Sequence, residues 1–396
     1  MPYPLRVRPV DFNHLTERQE VIRVKMGSYG EEGTSDMMKT FLNYPEFTRS
    51  IGRIGTRVTL TTDLPRRLAA LAVLRTAWLC DCDYLWAHIL ADGGVPVTGA
   101  EQTAVKHGAY GDFNSLERHV LEAIDELHDT HYLSEEKWYR IGRLGSNAVL
   151  DLIVTYAFFV TLSVAVNSLG VQLEDGTGWD GERPALTDAG TGLTPPRQLP
   201  KRVFEADYSL LSPRQLEQTN RLGRRGKPTT SKLQKAMINY PEFVAAISAF
   251  GKRGIDDPCL PPRIWQIAAM RTSWLCDSEY LWAQHGKVCR EKLGVTFEDL
   301  AGVAEGPDSQ SLQDFDRVIV ATVDDMYHHN RISDANWGQF DQFGPEGVTD
   351  LIIVYGLYVL QSCVARCFGT TLEDGVPGFG PELQQFRGTQ QRGQHV

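Results

Sequence analysis

What the 396-residue sequence lacks narrows its chemistry before any motif is considered. Its seven cysteines include no Cys-X-X-Cys pair, so no dithiol redox centre is expected. It has no excess of positive charge. The formal net charge is -10, which disfavours nonspecific attraction to nucleic acid or to an anionic membrane surface. The first twenty residues lack the basic start and apolar core of a secretory leader. An odd cysteine number in a long chain argues against a disulfide-stapled scaffold. A reducing, cytoplasmic setting is the expectation. Strand-like alternation is missing. The stretch from Gly27 to Gly33 lacks the Lys-Ser/Thr and the strand-to-helix setting of a phosphate loop. Neither His128 with His131 nor His328 with His329 belongs to an H-E-x-x-H or dense Cys/His pattern. No metal and no cofactor are expected.

What is present is repetition. RTAWLCDCDYLWA at 75–87 recurs as RTSWLCDSEYLWA at 271–283, with ten of thirteen positions identical at an offset of 196. NYPEF at 43–47 recurs at 239–243 at the same offset. Further on the offset becomes 199. Trp138 then matches Trp337, DLIVTY at 151–156 matches DLIIVY at 350–355, and LEDG at 173–176 matches LEDG at 372–375. A fixed period seen at several separate places marks a duplication, and the drift of three residues is one small insertion. The expected organisation is a first copy over 1–176, a linker over 177–206, a second copy over 207–376 and a flexible tail over 377–396. Trp179, inside the linker, is costly to expose and is expected to pack locally.

The apolar spacing is helical throughout, so an all-α fold is predicted. Helices are expected over 15–25 and 211–221, the latter capped by Ser212 with Pro213 at its first position. Central helices begin at Leu64 and Leu260 and run into the Trp/Tyr block. Further helices follow near 116–127 and 312–326, and Ser134 and Ser333 look like caps. Each copy closes on a long apolar run, near 152–166 and 351–365. These runs are short for a membrane span and carry Thr, Tyr and Ser, so buried helices are expected instead.

The central block of the second copy is the richest in chemistry. His285 is suited to proton transfer near neutral pH. Trp274, Tyr280 and Trp282 suit core packing as well as the wall of a cavity for an aromatic or polyketide-like molecule. Gln266 stands nineteen residues before His285, more than about 25 Å away along one straight helix at about 1.5 Å per residue. A shared site therefore requires two helices or a broken one. Ser278, Cys276 and Glu279 lie between them.

The segment from Arg271 to His285, RTSWLCDSEYLWAQH, resembles the carboxymuconolactone decarboxylase-like family, within the alkylhydroperoxidase-like superfamily. The resemblance covers roughly 40–175 and 236–375. It implies an all-helical bundle, homo-oligomers with sites near subunit or repeat interfaces, and here a trimer resembling a six-domain ring. It assigns the family's histidine to His285, which is Ile89 in the first copy. His88 is displaced by one position, about 100° around a helix, and aligns internally with Gln284. The family's early acidic residue falls on Gln266 and Ala70, and Leu85 and Leu281 stand where many relatives carry Glu. The peroxidase branch's two cysteines fall on Ser278 and Leu281, and on Cys82 and Leu85, so neither copy has the pair.

These readings lead to an expected cofactor-independent lyase or isomerase that decarboxylates, isomerises or cyclises a small organic acid or aromatic metabolite. His285 would move the proton. Gln266, Ser278 and Tyr280 would orient substrate oxygens, and Trp274 and Trp282 would form the apolar wall. The alternative is a noncatalytic oligomeric scaffold or metabolite-binding protein, favoured by the missing carboxylates and the altered first copy.

Overall fold

The computed structural model describes residues 3–27, 30–31, 33–91, 94–145, 147–174, 191, 193–222, 227–256, 259–344 and 346–390. Most of the expected linker, Trp179 included, part of the Gly27–Gly33 stretch and residues 391–396 lie outside the described residues. The described residues form α-helices and short 3-10 turns, with no strand among them.

The helices come in two series with the same order. The first is α1 (Glu17–Lys25), α2 (Asp36–Phe41), α3 (Pro45–Leu60), α4 (Arg66–Leu79), α5 (Asp83–Ala91), α6 (Gly99–His107), α7 (Ser115–Thr130), α8 (Glu135–Gly142) and α9 (Ala148–Leu169). The second is α10 (Pro213–Arg221), α11 (Lys232–Met237), α12 (Pro241–Asp256), α13 (Pro262–Leu275), α14 (Glu279–Leu293), α15 (Phe297–Glu305), α16 (Asp314–His329), α17 (Asp334–Trp337) and α18 (Gly347–Phe368). Local chemistry sets their ends. Thr16 and Ser212 close capping boxes on α1 and α10, and Pro213 takes the first turn of α10, where its missing N–H is harmless. Ser134 and Ser333 cap α8 and α17.

The run from the central helix into the Trp/Tyr block is broken. Asp81 and Asp277 both take φ 49°. That left-handed step ends α4 and α13 and lets the chain restart as α5 and α14, with the Cys82 and Ser278 amides bonded back to Ala77 and Ser273, each at 2.9 Å. Each central helix is anchored by a repeated arginine. Arg75 reaches Asp125 at 2.6 Å and the Val105 carbonyl at 2.7 Å. Arg271 reaches Asp324 at 2.6 and 2.8 Å and the carbonyls of Val303 and Ala304. A buried guanidinium is tolerated because its donors meet a carboxylate and carbonyls.

The closing helices α9 and α18 pack on each other. Every residue of α9 is buried, and Gln361 is the one residue of α18 that is not. Both are long and apolar enough to cross a membrane, yet protein surrounds them on all sides. Their buried carboxylates are paired: Arg57 grips Asp151 at 2.8 and 2.6 Å, and Arg253 grips Asp350 at 2.7 and 2.9 Å. Both helices end on left-handed glycines, Gly170 and Gly369. A Cβ there would lie 2.0 Å from the Pro4 or Pro200 carbonyl oxygen.

Two arginines clasp the halves together. Arg6 donates to the Ser168 carbonyl of its own half and to the Ile332 carbonyl of the other, both at 2.9 Å, and its guanidinium lies over Trp337. Arg202 donates to the Leu133 carbonyl at 2.8 Å and lies over Trp138. The segment expected as a free tail packs in its first part. Phe379 and Leu383 are buried, and the Phe379 amide donates to Glu279 at 2.9 Å. An exposed Phe would forfeit the burial that the neighbouring indoles provide.

Gly356 on α18 packs directly against Thr161 of α9, and a Cβ there would fall 2.1 Å from Thr161 Oγ1 and 2.8 Å from Thr161 Cβ. Gly356→Ala should destabilise the chain by about 1–3 kcal/mol through overpacking, although alanine is the better helix former. Urea denaturation checks this, and a stability equal to or above wild type would contradict the close packing of the pair.

Candidate functional site

The break at Asp277 turns α14 back along α13 and brings Gln266 to His285, nineteen residues on in sequence. His285 Nδ1 lies 3.0 Å from Gln266 Oε1. From α18, the Tyr358 hydroxyl lies 2.8 Å from His285 Nε2. Trp265 closes the cluster, its ring 5.8 Å from His285 and 5.4 Å edge-on to Tyr358. Gln266, Trp265 and Tyr358 are buried, while His285 keeps partial exposure.

An amide oxygen only accepts, so the bond to Gln266 Oε1 calls for the hydrogen on Nδ1; the Tyr358 hydroxyl, 3.1 Å from Nδ1 and 2.8 Å from Nε2, then donates to the Nε2 lone pair. Among the described residues no carboxylate bonds the ring. Burial among neutral groups pushes His285 down to about 4 and the Tyr358 phenol well above its ordinary value. At neutral pH the cluster is an uncharged Gln–His–Tyr chain with a weakly basic nitrogen. Beside it, burial pushes the Cys289 thiol up to about 12. The Trp265 Nε1 hydrogen is buried and meets no acceptor among the described residues.

The remaining expected site residues fall elsewhere. Trp274 and Trp282 pack on each other at 5.2 Å and on Phe379 at 4.9 and 5.8 Å. Their ring neighbours are thus each other and the tail, whereas those of His285 are Trp265 and Tyr358. The Tyr280 hydroxyl serves Glu373 at 2.6 Å and Ser231 at 3.0 Å, and Gln284 bonds the other oxygen of Glu373. Burial and the Glu373 carboxylate raise the Tyr280 phenol. Ser278 is buried in the turn before α14, and its hydroxyl has no partner among the described residues. The expected single pocket is therefore a polar cluster, an indole stack and a tyrosine–carboxylate tie. The separation follows from helix geometry, because neighbouring residues on α14 face different directions.

Trp265 and Tyr358 were not singled out from the sequence. A signal was present in the repeat. At the matching positions the first half carries Ala69 for Trp265, Ala70 for Gln266, Ile89 for His285 and Phe159 for Tyr358. Ala69, Ile89 and Phe159 pack against the core. All four members of the cluster differ together. An open groove of about 520 Å³ lies apart from the cluster, between α1 and α3, lined by Arg18, Val21, Lys25, Glu46 and Arg49 among others. No family model, no curated protein and no solved structure matches this chain.

Two results follow from the missing carboxylate. Gln266→Glu places a charge 3.0 Å from Nδ1 and should raise the His285 pKa from about 4 to above 6, read by NMR of labelled imidazole; an unchanged value would contradict the geometry. Between the ordinary 6.5 and about 4, the unfolded chain takes up a proton at this position and the folded chain does not. The contribution to stability is full above pH 6.5 and is lost as the pH falls toward 4. Wild type should thus lose more thermal stability than His285→Gln between pH 7 and 4.5. Parallel loss in the two proteins would show that His285 is not held neutral.

Proposed function

We propose that the chain is a cofactor-independent lyase or isomerase that moves a proton on a small organic acid or aromatic metabolite, with its site on His285 in the second half. The observation that carries this reading is the concerted replacement of Trp265, Gln266, His285 and Tyr358 by Ala69, Ala70, Ile89 and Phe159 in the first half. The first half packs the same helices without these polar groups, so the bundle does not require them. The resemblance of Arg271–His285 to the carboxymuconolactone decarboxylase-like family supports the same residue.

The chemistry favours an acid as substrate. His285 Nε2 is a free base at neutral pH but a weak one, since no neighbouring charge steadies the imidazolium. A substrate carboxylate at the ring would supply that charge, raise the nitrogen's basicity and let it accept a proton from carbon. The Trp265 Nε1 hydrogen, which meets no acceptor among the described residues, would be the donor to a substrate oxygen, and the Tyr358 hydroxyl would give up its bond to Nε2 as the proton from carbon arrives there. A second reading is a metabolite-binding protein without turnover. It is favoured by the low basicity of His285 and by its bonds to two neutral partners.

Incubation in D2O with a panel of aromatic and β-keto acids separates the two readings. Proton NMR should show deuterium uptake at carbon or loss of carboxylate, slowed about 100-fold or more in His285→Gln. Tyr358→Phe should fold normally, since Phe159 occupies the matching place, and should turn over more slowly. Binding without exchange in wild type would leave the second reading. Exchange that survives His285→Gln would remove the first.

We also propose a homotrimer. The closing helices do not argue for it, because α9 and α18 cover each other within one chain. What supports it is the family resemblance and exposed apolar side chains such as Phe204, Leu60 and Leu210. Sedimentation at several concentrations should give three chains per particle. A monomer at all concentrations would contradict the proposal.

A further inference from the structure

The first half, which lacks the His285 cluster, holds a different histidine bonded to a carboxylate. His88 on α5 places Nε2 at 2.6 Å from Glu174 Oε2. The other oxygen of Glu174 receives the Tyr84 hydroxyl at 2.8 Å and the Asp36 amide at 2.7 Å. These bonds hold the Glu174 carboxyl below its usual range although burial pushes the other way. Tyr84, one turn earlier on α5, stacks on the imidazole at 4.2 Å with 28° between the planes. The ring is thus fixed by a carboxylate at one nitrogen and by an aromatic face. An ionised carboxylate only accepts, so Nε2 carries the hydrogen and Nδ1 points its lone pair elsewhere. Nδ1 has no hydrogen-bond partner among the described residues, and the side chain is 23% exposed.

The second half shows what the fold alone requires at this place. There Gln284 donates to Glu373 Oε2, Tyr280 donates to Oε1 at 2.6 Å and the Lys232 amide donates at 3.0 Å. An amide side chain completes the same tie. The imidazole of His88 adds an ionisable nitrogen with no hydrogen-bond partner among the described residues.

We propose that His88, oriented by Glu174 and Tyr84, is the general base of a second, solvent-open site that takes a proton from water or from the hydroxyl of an uncharged molecule. Glu174 is the one charge bonded to the ring among the described residues, and it would repel an anionic substrate while steadying the imidazolium. This site does not depend on His285. In the simplest reaction it supports, a water oxygen bonds to an acyl carbon as its proton passes to Nδ1. The bond from the acyl carbon to the leaving oxygen then breaks with its electron pair, and the imidazolium returns the proton to solvent.

Hydrolysis of 4-nitrophenyl acetate by the full chain tests this. Wild type should turn over repeatedly and more slowly in D2O, and His88→Gln should lose about tenfold or more of the rate. Glutamine is the residue that the second half carries at the matching place, so this variant keeps the tie to Glu174, as circular dichroism and melting should verify. His14→Gln is the control, because His14 also pairs with a carboxylate, Asp11 at 2.7 Å, but on the open surface. Its rate should equal wild type. Equal rates in wild type and His88→Gln would overturn the proposal, as would an equal loss in His14→Gln. A single burst of acetylation without turnover would also overturn it.

Discussion

Everything else in this chain is arranged around the packing of α9 against α18. Two helices of 22 residues, almost wholly buried, cannot each be covered by the short amphipathic helices of one half. They cover each other, and Gly356 permits the close approach by having no side chain at the contact with Thr161. Their buried carboxylates, Asp151 and Asp350, are held by arginines from α3 and α12. The clasps of Arg6 and Arg202 then tie each half's leading segment to the far half. The result is two series of helices in the same order that share one core.

The same packing places the candidate chemistry. Tyr358 lies on α18, Gln266 on α13 and His285 on α14, so their meeting depends on the shared core as well as on the turn at Asp277. The turn reverses direction within three residues and cancels the distance that a straight helix would put between Gln266 and His285. In the first half the turn at Asp81 takes the same φ of 49°, yet the matching positions hold Ala70 and Ile89. The helix order recurs and the side chains of the cluster do not. Each half instead carries one histidine of contrasting character. His285 is sheltered among neutral groups, and His88 is tied to a carboxylate.

The helices, several of their caps and the repeat were legible in the sequence because they rest on local chemistry and on spacing. Ser134, Ser212 and Ser333 each cap as their neighbours suggest. The broken central helix was legible only as a requirement, since Gln266 and His285 can meet in no other way, and nothing local in LCDSE marks Asp277 as left-handed. Tyr358 was hidden in an apolar run, where a tyrosine and a phenylalanine satisfy the same pattern. The bond from Tyr280 to Glu373 has no local signal, because the two lie 93 residues apart in sequence. The tail was misjudged for a related reason. Phe379 sits among glycines and a proline, a composition that reads as loop, and only the facing pair of Trp274 and Trp282 gives it a seat.

The central claim is that His285 is a neutral ring whose Nε2 lone pair faces Tyr358. Nitrogen-15 NMR of histidine-labelled protein at pH 6 addresses it directly. The account predicts one resonance pair for His285 with the hydrogen on Nδ1 and an unprotonated Nε2, lost in His285→Gln. An imidazolium at that pH, or a neutral ring with its hydrogen on Nε2, would contradict it.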